Sequence, residues 1–344
     1  MNLPVTFFGG GIVIGTLVTI SSNHWFMAWM GLEINTLAFM PMMTYTPHPR
    51  AIEAATKYFL TQASASALLL FSALLNAFHN GEWKINSMME MTTIPLSIAL
   101  MMKLGLAPVH FWLPDVLQGI TLSTGLILST WQKIAPMTLL LQITDSMNLT
   151  LLSLMGLLSI LIGGWGGIGQ TQMRKIMAFS SIGHMGWMIT VLKFSPPLTL
   201  YNFAIYMLMT TALFCALITT NSEKMAQIST AWPKSPALMT TTMLTLLSTA
   251  GLPPFTGFSP KLLIMMELIK QDAILMSASM TLISLLALFF YLRLAYITIL
   301  TLTPNPLNSK TSWQPTPLTN PLTSTTMTHS LMLLPATPTL LTFM

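Results

Sequence analysis

Four charged side chains fall in the middle of long apolar stretches: Glu33, Lys103, Lys133 and Lys261. In a segment surrounded by hydrocarbon, each costs roughly 2.5–3.5 kcal/mol or more at the bilayer centre. Such groups are retained where they face a protein interior or a water-filled cavity, and there they mark proton or ion pathways. Lysine suits proton carriage. Desolvation disfavours its charged form, and a nearby carboxylate restores it. Moving the carboxylate closer or farther therefore loads or unloads a proton. Glu33 is the acid placed mid-span, so it is the expected partner of one of the lysines. His110 and His184 also lie within apolar segments, and histidine relays protons near neutral pH. The competing readings are lysines that snorkel from a helix end and histidines that are simply hydrogen-bonded in a core. Asp115, just after Pro114, reads as a cap more than as chemistry, and His24, His48, His79 and His329 receive no role.

The segments that carry these groups follow from composition. The chain has 344 residues, 53% hydrophobic and 7% charged, against about 25% charged in an ordinary soluble domain. That excludes a soluble enzyme and a disordered chain. Apolar segments of about 20 residues are long enough to cross a bilayer core, and alternating ten-residue strands are absent, which argues against a membrane barrel. The expected fold class is an all-α polytopic membrane protein. About eleven transmembrane helices are predicted, near 4–22, 24–45, 57–78, 93–117, 121–143, 149–169, 175–193, 198–220, 237–267, 273–301 and 324–344. No cleavable signal pattern precedes the first, which is expected to be retained as a span. The last is the weakest, being Thr-rich and interrupted by Pro335 and Pro338.

An odd number of spans places the termini on opposite sides. Arg50, Lys57, Arg174, Lys175, Lys224, Lys234 and Lys310 fall in one set of loops, against Lys84, Lys193 and Lys270 in the other. The richer set is expected to face the negative compartment, with the N-terminus beside it.

An internal repeat is visible. Residues 106–114 read LAPVHFWLP and residues 252–260 read LPPFTGFSP, which pairs Pro108 and Pro114 with Pro254 and Pro260. Each proline removes a backbone donor and disfavours a straight helix. Five spans separate the two segments, so they are expected to cross in opposite directions. This predicts two inverted five-helix repeats, 1–145 and 146–302, each with a broken fourth helix. A Pro/Thr-rich linker (303–323) with Trp313 and a C-terminal transmembrane helix (324–344) follow. Paired interrupted helices point to an ion site, although two ordinary proline kinks would give the same spacing.

Other features carry less. Residues 164–169, GWGGIG, match a dinucleotide fingerprint, but they end an apolar helix and no acid follows about 20 residues on. Close helix packing explains them better, as for Gly11 and Gly15. The single cysteine, Cys215, rules out a disulfide framework and a cysteine-held cluster. No metal-ligand set is evident. The net charge of +5 on so few charged groups does not suggest nucleic acid. Thirty methionines suit either a flexible apolar interface or a biased organellar code.

The segment KLGLAPVHFWLPDVLQG (103–119) resembles the lysine-bearing broken helix of the antiporter-like subunits of respiratory complex I, which are related to multisubunit sodium/proton antiporters. GLE (31–33), TWQKIAP (130–136), RKIMAFSSIGHMGW (174–187) and GLPPFTGFSPK (251–261) resemble the same family, over nearly all of 1–302. The short length and the high Met and Thr content are similar to its animal mitochondrial members. The resemblance implies that Glu33 and Lys103 form a coupled pair. It makes Lys133 the central lysine of the next helix, Lys261 the charge of the second broken helix, and His184 a relay.

The resemblance further implies a mitochondrial inner-membrane protein with its N-terminus in the matrix and its C-terminus in the intermembrane space. Its partners would be other membrane-arm subunits of complex I. It would hold no redox centre: NADH, FMN, iron–sulfur clusters and ubiquinone belong to other subunits. Anionic lipid, cardiolipin among the candidates, is expected at the basic matrix face. The activity would be proton translocation driven by electron transfer from NADH to ubiquinone. Moving one charge costs about 2.3 kcal/mol per 100 mV, and a two-unit pK swing supplies about 2.7 kcal/mol. One lysine barely suffices, so a coupled chain of groups is expected. The alternatives are a stand-alone cation/proton antiporter, disfavoured by the scarcity of acids in the spans, and a non-pumping spacer, which would not need Lys103, Lys133 and Glu33 together.

Overall fold

The computed structural model describes residues 3–85, 87–231, 235–300 and 321–339. Among these residues the regular structure is helical, with two isolated backbone bridges and no strand. The α-helices are α1 (Leu3–Ser21), α2 (Trp25–Met43), α3 (Pro49–Asn80), α4 (Glu90–Leu104), α5 (Trp112–Gly119), α6 (Leu122–Ser129), α7 (Ile134–Gln142), α8 (Leu149–Ile168), α9 (Met173–Val191), α10 (Pro196–Thr220), α11 (Met225–Thr230), α12 (Pro236–Ala250), α13 (Phe258–Lys270), α14 (Ile274–Leu300) and α15 (Pro321–Met332). The chain forms two compact units, Met1–Ser159 and Ile160–Met344, divided within α8. Among the described residues, four helical stretches are long and apolar enough to cross a membrane: Pro49–Asn80, Leu149–Ile168, Pro196–Thr220 and Ile274–Thr298.

Two predicted segments are broken, and glycine sets the break. α4 stops at Gly105, whose φ of 77° is left-handed and whose N–H bonds the carbonyls of Met101 and Met102. The N–H of Leu106 returns to Met101 at 3.0 Å. α12 stops the same way at Gly251, with φ 85° and bonds to Leu247 and Ser248. Leu252 N–H returns to Leu247 at 3.4 Å. Both are Schellman-type ends that satisfy the last carbonyls of a helix. In each case the glycine stands three residues before the proline, Gly105 before Pro108 and Gly251 before Pro254, and helix resumes only at Trp112 and Phe258.

A third interruption was not expected from the sequence. The segment predicted at 121–143 is α6 and α7 joined by a 3₁₀ turn, Trp131–Lys133, so Lys133 lies at a joint rather than mid-helix. Pro136 falls in the first turn of α7, where a missing N–H costs little. The linker predicted at 303–323, with Trp313, lies outside the described residues apart from its last three, which open α15. Lys234 and Lys310 also lie outside them. α15 has 12 residues and gives way to a 3₁₀ turn, Leu334–Ala336, at Pro335.

Small residues set the helix contacts. In the first unit, a Cβ on Gly15 would lie 2.9 Å from both Asn35 N and Gly31 O, so α1 and α2 touch backbone to backbone. In the second unit, the GWGGIG stretch of α8 lets side chains of other helices close onto its backbone. A Cβ on Gly164 would meet Leu286 at 2.9 Å, and one on Gly166 would run into the Phe179 ring. These glycines serve packing. The many Ser and Thr hydroxyls are tolerated because they donate to carbonyls of their own helices, as Ser72 does to Leu69 (2.7 Å) and Thr245 to Thr242 (2.8 Å).

The α1–α2 contact makes a testable distinction. Gly15→Val should lower the thermal midpoint of the purified protein by an overpacking cost of about 1–3 kcal/mol. Gly9→Ala, where nothing lies within 4 Å, should leave the midpoint unchanged.

Candidate functional site

The two units each hold a cavity, and each cavity holds predicted residues. In the first unit, Lys103 occupies the last turn of α4 and is 6% exposed, while Lys133 is 2% exposed. Both line one cavity with Asn35, Tyr58, Gln62 and Gln132. About 20 Å³ of it is open to the centre of a water molecule, which is room for one ordered water. Lys103 Nζ, Asn35 Oδ1 and Gln132 Nε2 are all buried without a hydrogen-bond partner in the chain. A buried amide or ammonium in that state is costly, so this is a polar hole in an apolar unit.

Glu33, on α2, does not touch a lysine directly. Its Oε1 accepts from Ser66 Oγ on α3 at 2.9 Å, and its Oε2 accepts from Thr36 Oγ1 at 2.9 Å. Its charge acts on Lys103 and on Tyr58 through space. The carboxylate is thus held by neutral donors at a fixed place near the lysine. Ser66 went unnoticed in the sequence because it hides in the small-residue run SAS at 64–66.

His110 lies in the first break as expected and is 4% exposed, but it does not line this cavity. Its ring centre stands 4.3 Å from that of Phe111. Asp115 is in the first turn of α5, where its carboxylate suits the helix dipole. It also accepts from Lys57 Nζ at 3.1 Å, and Lys57 pairs with Glu53 at 2.9 Å.

In the second unit, Lys261 and His184 line one cavity with Ser180, Thr249, Ser284 and Tyr291. Lys261 opens α13 and turns back into the break, where its Nζ donates to Ala250 O at 2.7 Å. Gly251 makes this possible: a Cβ there would stand 2.8 Å from Lys261 Nζ. His184 is 8% exposed, with its ring centre 5.7 Å from that of Tyr206. No group of three or more His, Cys, Asp or Glu side chains converges among the described residues.

A polytopic helical chain with glycine-capped breaks and buried lysines defines a class of membrane ion-pathway protein. Comparison with known proteins makes it specific. Residues 22–287 match the family described as NADH:quinone oxidoreductase/Mrp antiporter, transmembrane, and residues 288–341 match the NADH dehydrogenase subunit 2 C-terminus. The chain belongs to this family of antiporter-like membrane subunits of respiratory complex I. It is 63% identical to the NADH-ubiquinone oxidoreductase chain 2 of Aquarana catesbeiana, over 98% of each chain. The protein of the same name from Xenopus laevis is 54% identical over 90% of this chain and 91% of that one. A subunit of respiratory complex I from Thermus thermophilus shares the fold with a TM-score of 0.85, at 24% identity, over 97% of this chain and 78% of that one. A chain of the Mrp complex from Dietzia gives 0.77 at 21% identity, over 83% and 59%.

The two lysines differ in their hydrogen bonding and should differ in their effect on stability. Lys261→Met leaves the Ala250 carbonyl without its donor, and a lost buried bond costs about 1–3 kcal/mol. Lys103→Met removes a buried ammonium that has no hydrogen-bond partner, which is neutral or stabilising. Thermal unfolding of the solubilised assembly should show a lower midpoint for the first and an unchanged or higher one for the second.

Proposed function

We propose that this chain is a membrane-arm subunit of mitochondrial NADH:ubiquinone oxidoreductase that converts energy from electron transfer into proton translocation across the inner membrane. The observation that carries the reading is the grouping of Lys103 and Lys133 on one buried cavity with Glu33 fixed nearby. A mere spacer gains nothing from that cost. NADH, FMN, iron–sulfur clusters and ubiquinone belong to other subunits in this reading. The partners are neighbouring membrane-arm subunits and anionic lipid.

Eleven spans in two inverted five-helix repeats, 1–145 and 146–302, complete the proposal. Connections that should share a membrane side do meet within each unit. In the first unit, His24 before α2 bridges Lys84 before α4. In the second, Gln172 before α9 bridges Lys224 before α11. Counted by spans, each is a bridge between the first and third connections of a repeat. This recurrence supports the repeats. With eleven spans go an N-terminus in the matrix and a C-terminus in the intermembrane space.

The proposed chemistry is a displacement of protons by charge. While the Glu33 carboxylate acts on Lys103, the ammonium form is favoured. When that influence weakens, the free amine is favoured and the proton passes on. Lys133 is the acceptor across the shared cavity, with Gln132 and Asn35 able to hold water between them. Lys261, with His184, continues the path in the second unit, and His110 serves the first break.

Replacing Lys103 and Lys133 together by Met should lower the protons translocated per NADH oxidised, or stall NADH oxidation itself, in vesicles whose complex assembles normally. Wild-type pumping by that double variant would sink the reading and bring the spacer forward.

A further inference from the structure

The second unit buries a group of hydroxyls that the reading above does not use. Tyr291, on α14, is 2% exposed and lines the cavity that holds His184 and Lys261. Its hydroxyl is buried without a well-formed hydrogen bond. The hydroxyls of Ser180 on α9 and Thr249 on α12 lie beside it. Both have already spent their protons: Ser180 Oγ donates to Met177 O and Thr249 Oγ1 to Leu246 O, each at 2.8 Å. While it makes that bond, each can accept the Tyr291 proton. Tyr206, on α10, is 0% exposed, lies beside Ser181 and is near enough to Tyr291 to feel its charge. Ser181 likewise donates away, to Ala178 O at 2.7 Å. Beyond Tyr206 comes His184, with ring centres 5.7 Å apart. Two phenols thus stand among hydroxyl oxygens able to accept, with an amine at one end and an imidazole at the other.

We propose that Tyr291 is a proton-relay residue between Lys261 and His184, with Tyr206 as the second link. The inference rests on the proton-translocating reading above. The step balances without any oxidant or reductant. An N–H bond of the Lys261 ammonium breaks as an O–H bond forms on a water in the shared cavity, about 20 Å³ of which is open to water centres. That water passes a proton to the Tyr291 oxygen as Tyr291 passes its own to Tyr206. Tyr206 in turn protonates a ring nitrogen of His184. One charge moves from amine to imidazole, and both phenols end neutral. Rotation of the two hydroxyls resets the path. Ser180, Ser181 and Thr249 offer acceptor positions in which the phenol protons rest between transfers. Neutral links suit the place, since each further charge would add the cost of burial in hydrocarbon.

The test uses the assembled complex in inner-membrane vesicles and reads protons translocated and NADH oxidised. Tyr291→Phe removes one oxygen and keeps the ring. It should lower proton-coupled turnover by about two-fold or more and enlarge its solvent deuterium effect, with normal assembly. Tyr201→Phe, which loses only the bond to Ser259 Oγ at 2.8 Å, should behave as wild type. Thr249→Ser keeps an acceptor oxygen and should retain turnover, whereas Thr249→Val should lose it; this pair decides the matter where Tyr291→Phe fails to assemble. Lys103→Met is measured alongside. If it is impaired while Tyr291→Phe matches wild type, the relay is overturned and the proton-translocating reading stands. If Lys103→Met also pumps normally, both fall.

Discussion

Backbone carbonyls left open at a helix end have no water to turn to inside a bilayer, and the rest of this structure depends on how they are met. Irregular backbone at membrane depth survives only where protein or a cavity satisfies it. Both broken helices begin with the same solution, a left-handed glycine that folds its own and the next N–H back onto the last turn. They then diverge. In the first break, the Trp112 indole N–H donates to Met102 O at 3.1 Å. In the second, Lys261 Nζ donates to Ala250 O at 2.7 Å. Lys103 has no hydrogen bond of its own and faces a polar cavity. The two lysines are chemically unequal: one closes a helix end, and the other faces a cavity without a hydrogen bond.

The second break is also tied down from outside its own helix. Thr256 Oγ1 donates to the carbonyl of Ser330 on α15, and Ser248 Oγ reaches the same oxygen at 3.5 Å. α15 packs on α10 through Met327 against Ala212 and Ala216. The C-terminal helix therefore supplies an acceptor at the point where α12 stops. Gly257 has no freedom either, because a Cβ there would collide with the Ser248 carbonyl. A break held by a lysine, two hydroxyls and a glycine is rigid. The first break is held by fewer such bonds.

The charged groups were legible in the sequence because so few charges occur at all, and any lysine inside an apolar run is conspicuous. The breaks were legible too, through the repeated prolines. Gly105 and Gly251, which end the helices, stand in the same register and went unread, because a glycine in a membrane helix is ordinary until its φ is known. Lys133 was read as mid-helix since TWQKIAP contains no helix stop before Pro136, and the 3₁₀ joint arises from packing. Ser66, Trp112, Gln132 and Tyr291 carry no periodic or spacing signal. Their importance lies in which helix each faces, and that is a tertiary property. GWGGIG was read as packing, and the close approach of α8 to Phe179 and Leu286 gives the physical reason.

The two units handle buried polarity in opposite ways, and under the proposed function energetics accounts for the difference. The first unit concentrates charge: a carboxylate held by Ser66 and Thr36, and two lysines around one small cavity. Concentrated charge is what lets a conformational signal change a proton's free energy by the roughly 2.3 kcal/mol that each 100 mV demands. It is also costly, and a second such cluster would multiply the cost. The second unit holds hydroxyls instead, on α9, α10, α12 and α14, around one lysine pinned to a carbonyl. A hydroxyl that already donates to its own helix costs little to bury and still accepts. Such an array can pass a proton without storing one. Energy conversion and conduction thus call for different side chains. A chain that does both is expected to place ionisable groups where the energy is exchanged and neutral hydroxyls where the proton only travels.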